Sequence, residues 1–119
     1  NALNDRAKPV KGSHIHLLGM AYKRNIDDVR ESPALDIALL LEKRGARVTY
    51  SDPFVPSVSL NARRLESSPM EEMVAQADCV VIVTDHSGVD YGYVARRARL
   101  VVDTRNALKG FNSANIVRL

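Results

Sequence analysis

A short aliphatic run, Ser13-His14-Ile15-His16-Leu17-Leu18, stops at Gly19, and a charged loop then leads into a helix that opens on Ser32-Pro33. This strand-loop-helix order constrains the fold most, because a strand followed by a covering helix implies a return to the same sheet in parallel. The helix is well delimited. Ser32 suits the N-cap, Pro33 the first helical position and Gly45 a left-handed C-cap. Leu35, Leu39 and Glu42 share one line along it, while Ile37, Leu40 and Leu41 widen the apolar side, as in a helix packed on a sheet.

The pattern continues down the chain. A second strand, Arg47 to Ser51, stops at Asp52-Pro53, and Ser68-Pro69-Met70-Glu71-Glu72 starts a helix that runs to about Ala77. The third strand, Cys79 to Thr84, is uninterrupted and apolar, so it belongs in the centre with both faces covered. A helix around Tyr91 to Ala98, a fourth strand at Leu100 to Val102 and a last short strand near Asn115 to Arg118 complete the order. Between Phe54 and Ser67 no period is clear, and the expectation there is a loop with a short helix around Asn61 to Leu65. The predicted class is α/β: a three-layer αβα sandwich with a mostly parallel, Rossmann-like sheet. Residues 1–12, polar and holding Pro9 and Gly12, read as a connector from a preceding part of a longer protein; residues 13–119 read as the domain.

At 119 residues the chain suits one domain with a real core, and 45% hydrophobic with 26% charged residues is ordinary for a globular protein. No apolar run approaches the ~20 residues that span a bilayer, so no membrane role is expected. The single cysteine, Cys79, excludes an internal disulfide and any multi-cysteine zinc site, and the expected location is the cytoplasm. Cys79 opens a buried strand and reads as an inert core thiol. The formal charge of +3 is spread along the chain, and with few aromatics no nucleic-acid partner is expected. His14 and His16 alternate with Ile15 and Leu17 and so share a strand face; a half-solvated face is preferred there over a metal site, for want of a third ligand.

In a parallel sheet the carboxyl ends of all strands share one edge, where ligands bind. That edge collects Tyr22, Lys23 and Arg30 after the first strand, Asp52 after the second, Thr84, Asp85 and His86 after the third, and Asp103, Thr104 and Arg105 after the fourth. If the first and fourth strands are neighbours, Lys23 and Arg105 converge on one crevice. Two cations beside exposed backbone N–H groups favour a phosphate or diphosphate, and Tyr22 offers a ring or hydroxyl to a base or sugar. Surface pairing of Lys23 and Arg105 with Asp27, Asp28 or Asp103 stands as an equal alternative, and Arg30 pairing with Asp27 is favoured over a ligand role. Asp85-His86 reads as a helix-entry turn with an exposed histidine, in preference to a general base. There is no G-x-G-x-x-G, hence no dinucleotide fingerprint, and no triad-like context.

Gly19-Met20-Ala21-Tyr22-Lys23 followed by Asp27-Asp28-Val29-Arg30-Glu31-Ser32-Pro33-Ala34 closely resembles the start of the C-terminal, UDP-binding domain of UDP-glucose/GDP-mannose dehydrogenases. The likeness continues through Arg44-Gly45-Ala46, Tyr50-Ser51-Asp52-Pro53, Ala77 to Thr84 and Val102-Asp103-Thr104-Arg105-Asn106, leaving only Val55 to Ser68 poorly matched. The ending Asp103 to Leu108 looks most like members acting on UDP-N-acetylated hexoses. The resemblance implies that Lys23, with Tyr22, and Arg105 contact the nucleotide-sugar, and that Arg30 extends toward NAD bound on another domain. It implies a parent that oxidises a sugar C6 alcohol to a carboxylate with two NAD⁺ in turn, through a cysteine carrying thiohemiacetal and thioester intermediates. The cysteine, the catalytic lysine and the NAD fingerprint belong to regions absent here, so the chain alone is expected to be inactive. The implied partners are a UDP-sugar, the N-terminal and central domains of the same protein and further copies in a homo-oligomer; the implied pathway is polysaccharide precursor synthesis.

Two other classes compete. A phosphorelay receiver-like domain would use Asp27-Asp28, Asp52 as phosphoacceptor, Thr84 and Lys109, but its acceptor should follow the third strand and Asp52 follows the second. A protein-interaction module would use the basic surface.

Overall fold

The structure, a computed structural model, describes residues 10–21, 29 and 32–119. Among these, five strands form one wholly parallel sheet: β1 His14–Leu18, β2 Arg47–Ser51, β5 Cys79–Ile82, β6 Val101–Asp103 and β7 Ile116–Arg118, in the order β2-β1-β5-β6-β7. Three helices connect them: α1 Pro33–Lys43, α2 Met70–Gln76 and α3 Tyr91–Arg97. The chain runs from β1 outward to β2, then returns to the other side of β1. The topological switch point therefore lies between β1 and β5, where a doubly wound sheet opens its crevice.

Strand alternation sorts the core into two layers. Ile15, Leu17, Val48, Tyr50 and Cys79 face α1, while Leu18, Val80, Ile82 and Val101 face α2 and α3. This is the expected three-layer sandwich, with β5 central. Cys79 is buried, and burial pushes its thiol up to about 12, so the inert reading holds.

Helix α1 is bounded as its sequence specifies. Ser32 Oγ accepts the Ala34 N–H at 3.2 Å. At the other end Gly45, at φ +93, lets its own N–H reach the Glu42 carbonyl and that of Ala46 reach Leu41, a Schellman closure. The buried contact is made by Ala34 and Ala38, however, and Leu40 is 51% exposed. Small side chains let the helix axis approach the sheet, which turns the long leucines toward the flanks.

The Phe54–Ser67 segment differs from expectation. In place of a short helix it forms an antiparallel hairpin, β3 Ser57–Leu60 with β4 Arg63–Glu66, turning at Asn61 in the left-handed region (φ 56). Val58 and Leu60 are buried against the α1 layer, the period-2 signature of a half-covered strand. Nor does Ser68 cap α2: Pro69 occupies the cap position, and the Ser68 carbonyl instead accepts the Ser51 hydroxyl at 2.6 Å.

His14 and His16 do share a face, which is partly exposed at His14 as expected but closed at His16. His16 is wholly buried, with Nδ1 2.7 Å from Thr49 Oγ1 and Nε2 2.7 Å from Ser51 Oγ. Because the Ser51 hydroxyl donates to Ser68, it accepts from His16 Nε2–H, and Thr49 then donates to Nδ1 and accepts from His14 Nε2–H at 2.7 Å. A directional chain of neutral groups thus replaces the apolar contacts the helix layer would otherwise need. Among the described residues no His, Cys, Asp and Glu cluster could hold a metal.

Burial, with a smaller contribution from His14, lowers His16 from 6.5 to about 3, and burial with Arg47 lowers His14. Between those values the unfolded chain binds the proton and the folded chain does not, so stability rises with pH. Lowering the pH from 7 to 5 should cost about 2 kcal/mol in urea unfolding, and a His16→Gln variant should lose most of that slope. Gly19→Ala should be costlier. Its Cβ would lie 2.6 Å from the backbone N and O and the Cβ of Thr84, at φ +95, and thermal unfolding should report a loss of at least about 3 kcal/mol.

Candidate functional site

The carboxyl edge of the sheet is held together by two buried aspartates that end strands or follow them. Asp52, just after β2, is 3% exposed. Its Oδ2 accepts the N–H groups of Met20 at 2.7 Å and Ala21 at 2.9 Å, both in the loop leaving β1, and lies 2.8 Å from His86 Nε2 in the loop leaving β5. Its Oδ1 accepts the Phe54 N–H at 2.7 Å. Burying a carboxylate is costly unless donors surround it, and here three loops supply them.

Asp103, the last residue of β6, repeats the device. It is 1% exposed, with Oδ1 accepting the N–H groups of Arg105 (3.0 Å) and Ala107 (3.1 Å) and Oδ2 that of Leu108 (2.8 Å). Asn106 takes the left-handed conformation this turn requires (φ 59). Thr104 Oγ1 donates to the Ile82 carbonyl at 2.6 Å, tying the turn to β5. Backbone constraints at Arg105 are thereby satisfied internally, and its side chain, 48% exposed, projects at the edge.

Two concavities open here. One, about 530 Å³, lies over the switch point between the loops after β1, β2 and β5, with Gly19, Asp52, Phe54, Ser68, His86 and Tyr91 among its walls. The other, about 390 Å³, is lined by Asp85, Thr104, Arg105, Asn106 and Leu119.

Arg105 therefore stands at the expected edge. Tyr22, Lys23 and Arg30 lie outside the described residues, as do Asp27 and Asp28. One premise is overturned: β1 and β6 are not neighbours, because β5 lies between them, each pair in parallel register. The carboxyl ends of β1, β5 and β6 nevertheless share the edge: the Val83 N–H bonds the Leu18 carbonyl (2.9 Å), and the Thr104 hydroxyl bonds that of Ile82 (2.6 Å). The carboxylate beside the Arg105 guanidinium is Asp85, with Nε 3.9 Å from Oδ1, and not Asp103, whose oxygens are taken by backbone N–H groups. At that length and exposure the pair is a weak one.

His86 is also corrected. It is 1% exposed rather than a solvated turn residue, bonded to Asp52 and packed at a 45° tilt against Phe54, 4.9 Å between ring centroids. The signal was available: an aspartate after one strand and a histidine after another, on one edge of a parallel sheet, can only be buried if paired. The receiver-like reading fails on the same geometry. Asp52 is buried and fully engaged, and the Thr84 hydroxyl is spent on the Ala21 carbonyl at 2.6 Å.

The described residues do not fit a bound dinucleotide. Among the described residues of the β1 exit, Gly19 has its open side filled by Thr84, so that glycine offers a dinucleotide no close backbone approach. No helix among the described residues is long and apolar enough to cross a membrane.

Comparison with known proteins agrees with this architecture. Residues 16–110 match the model of the UDP-glucose/GDP-mannose dehydrogenase family, UDP binding domain. The chain is 35% identical over 126 aligned residues to a UDP-glucose 6-dehydrogenase of Rhizobium meliloti, covering 92% of this chain and 28% of that protein. It is 33% identical to a UDP-N-acetyl-D-mannosamine dehydrogenase of Pyrococcus horikoshii, covering 80% and 22%. Among solved structures, a UDP-glucose dehydrogenase from Pyrobaculum islandicum superposes with a TM-score of 0.78 at 32% identity, over 98% of this chain and 27% of that one. The chain thus spans about a quarter of the length of such relatives. A match over most of the chain, with the fold in agreement, places this chain in the UDP-glucose/GDP-mannose dehydrogenase family as its UDP binding domain.

Proposed function

We propose that residues 13–119 bind the nucleotide part of a UDP-sugar at the carboxyl edge of the sheet, with Arg105 and Lys23 neutralising the diphosphate and Tyr22 beside them. The observation that carries this is Arg105 itself: a half-exposed guanidinium on a turn whose backbone is pinned by Asp103, paired among the described residues with Asp85 at a loose 3.9 Å. A guanidinium so placed is pre-set for a bidentate anion. The parent protein, on this reading, is an NAD-dependent UDP-sugar 6-dehydrogenase that converts the C6 alcohol to a carboxylate, with residues 1–12 as the connector to its other domains. Relatives named for UDP-glucose and for UDP-N-acetylated hexoses support that class of substrate. The cofactor is NAD, bound mainly by those other domains, with Arg30 reaching toward it; the Thr84-filled turn at Gly19 supports that division. The protein is a cytoplasmic oxidoreductase of polysaccharide biosynthesis working as a homo-oligomer. Neither nucleic acid nor membrane is a partner.

Calorimetric titration of the chain with UDP tests the binding site. Saturable binding is expected, weakened about tenfold or more by Lys23→Ala and by Arg105→Ala, since each removes a charge-assisted contact. Binding that both variants leave unchanged would refute the assignment. In the absence of any binding, the protein-interaction reading would take its place.

A further inference from the structure

The smaller concavity, about 390 Å³, is lined among the described residues by Asp85, Thr104, Arg105, Asn106 and Leu119, so that a carboxylate and a guanidinium share its wall. The sheet itself brings the two together. Ile82 of β5 stands in register with Asp103 of β6, and Asp85 and Arg105 follow shortly after them on adjacent exit loops. Both loops are anchored at their bases. Thr84 and His86, on either side of Asp85, are buried and bonded to the Ala21 carbonyl and to Asp52, while the Arg105 N–H is held by Asp103. The two side chains therefore meet at preset places, Arg105 outermost at 48% exposure and Asp85 inside it at 15%.

A site for phosphate alone gains nothing from a carboxylate beside its guanidinium, since the like charge opposes the ligand. Nor is Asp85 placed as a counter-ion that orients Arg105: a pair built for that role is bidentate at about 2.7–2.9 Å. Here the contact is to Nε alone, at 3.9 Å. A guanidinium approached at Nε still presents its end-on fork of two NH₂ groups to a phosphate, and a carboxylate accepts about four hydrogen bonds. Both can therefore serve one ligand at once. What a carboxylate in that position recognises is hydroxyl donors a short reach from the phosphate, as acidic residues do for ribose in dinucleotide sites. We propose that Asp85 is a specificity-determining residue of this concavity: it accepts hydrogen bonds from a vicinal pair of sugar hydroxyls while Arg105 binds the attached diphosphate. This inference deepens the UDP-binding reading above and rests on it. Ribose and hexose both supply such hydroxyls, and a bare diphosphate supplies none. The site thereby selects a sugar-bearing diphosphate, a choice that Arg105 alone does not make.

Asp85→Ala removes both acceptor oxygens whatever the rotamer. Calorimetric titration with UDP, 2′,3′-dideoxy-UDP, UDP-glucose and inorganic pyrophosphate reads the effect. The unmodified chain should bind UDP about tenfold more tightly than dideoxy-UDP where the ribose is the donor, or UDP-glucose about tenfold more tightly than UDP where the hexose is. In Asp85→Ala that preference should fall below about twofold, while pyrophosphate should bind about threefold more tightly because the opposing charge is gone. A lost sugar preference together with tighter pyrophosphate is a combination that a merely structural aspartate does not produce. Ratios that Asp85→Ala leaves unchanged, whatever happens to absolute affinity, would mark Asp85 as a support for Arg105 and overturn the proposal. So would an unmodified chain that binds UDP with neither preference. If Asp85→Ala does not fold, Asp85→Asn keeps the volume and one neutral acceptor, and should cut the preference to about threefold. An unchanged preference in that variant overturns the proposal equally. Failure of the unmodified chain to bind UDP would instead strike at the UDP reading, and at this inference with it.

Discussion

A single buried carboxylate joins the three loops around the switch point. Asp52 sits where unsolvated charge is expensive, and the fold satisfies it with donors from the β1 exit, its own turn and the β5 exit. These loops are far apart in sequence, and no helix spans them. Without the carboxylate, the N–H groups of Met20 and Ala21 would be buried with no acceptor, so the loop and the charge each need the other. Gly19 belongs to the same arrangement: its missing side chain is what allows Thr84 close enough to reach the Ala21 carbonyl.

Asp103 shows that the arrangement is a repeated solution rather than an accident of one loop. It too ends at the carboxyl edge, is buried, and spends both oxygens on backbone N–H groups. Leu108, the last of its donors, is fully buried in the α2–α3 layer, so the turn bearing Arg105 is anchored in the core at one end and to β6 at the other. Asn115 completes this half of the sheet by donating to the Ala95 and Ala98 carbonyls, closing the open end of α3 as β7 begins.

Much of this was legible in residue order, for identifiable reasons. The strands β1, β2 and β5 announced themselves because apolar runs ended at Gly19, Asp52 and Thr84, and α1 because Ser32, Pro33 and Gly45 each have one dominant local use. What escaped detection depended on pairing between distant residues. The hairpin at Ser57–Glu66 carries only four residues per strand, and its alternation of Ser57, Val58, Ser59 and Leu60 is short enough to pass for a loop. His86 looked exposed because nothing nearby in sequence can satisfy it; its partner is 34 residues away. His16 escaped for the same reason, its hydroxyl partners lying on β2. The strand order was misjudged between β1 and β6 because adjacency in a sheet is settled by which crossover packs best, and local sequence does not carry that.

The division of charge at the edge has a functional consequence. An edge holding Asp52, Asp85 and Asp103 would ordinarily repel a diphosphate. Two of these carboxylates are turned inward and clothed in N–H groups, so that their negative charge is offset at contact distance before it reaches solvent. Among the described residues Asp85 stands beside the outward cation, and at 3.9 Å from Arg105 the pair is a loose one. The buried acids therefore build the scaffold, while Arg105 is left facing outward. Exchanging those positions would keep the composition and net charge of the chain while undoing this arrangement, which is why composition alone says so little here and the buried hydrogen bonds say so much.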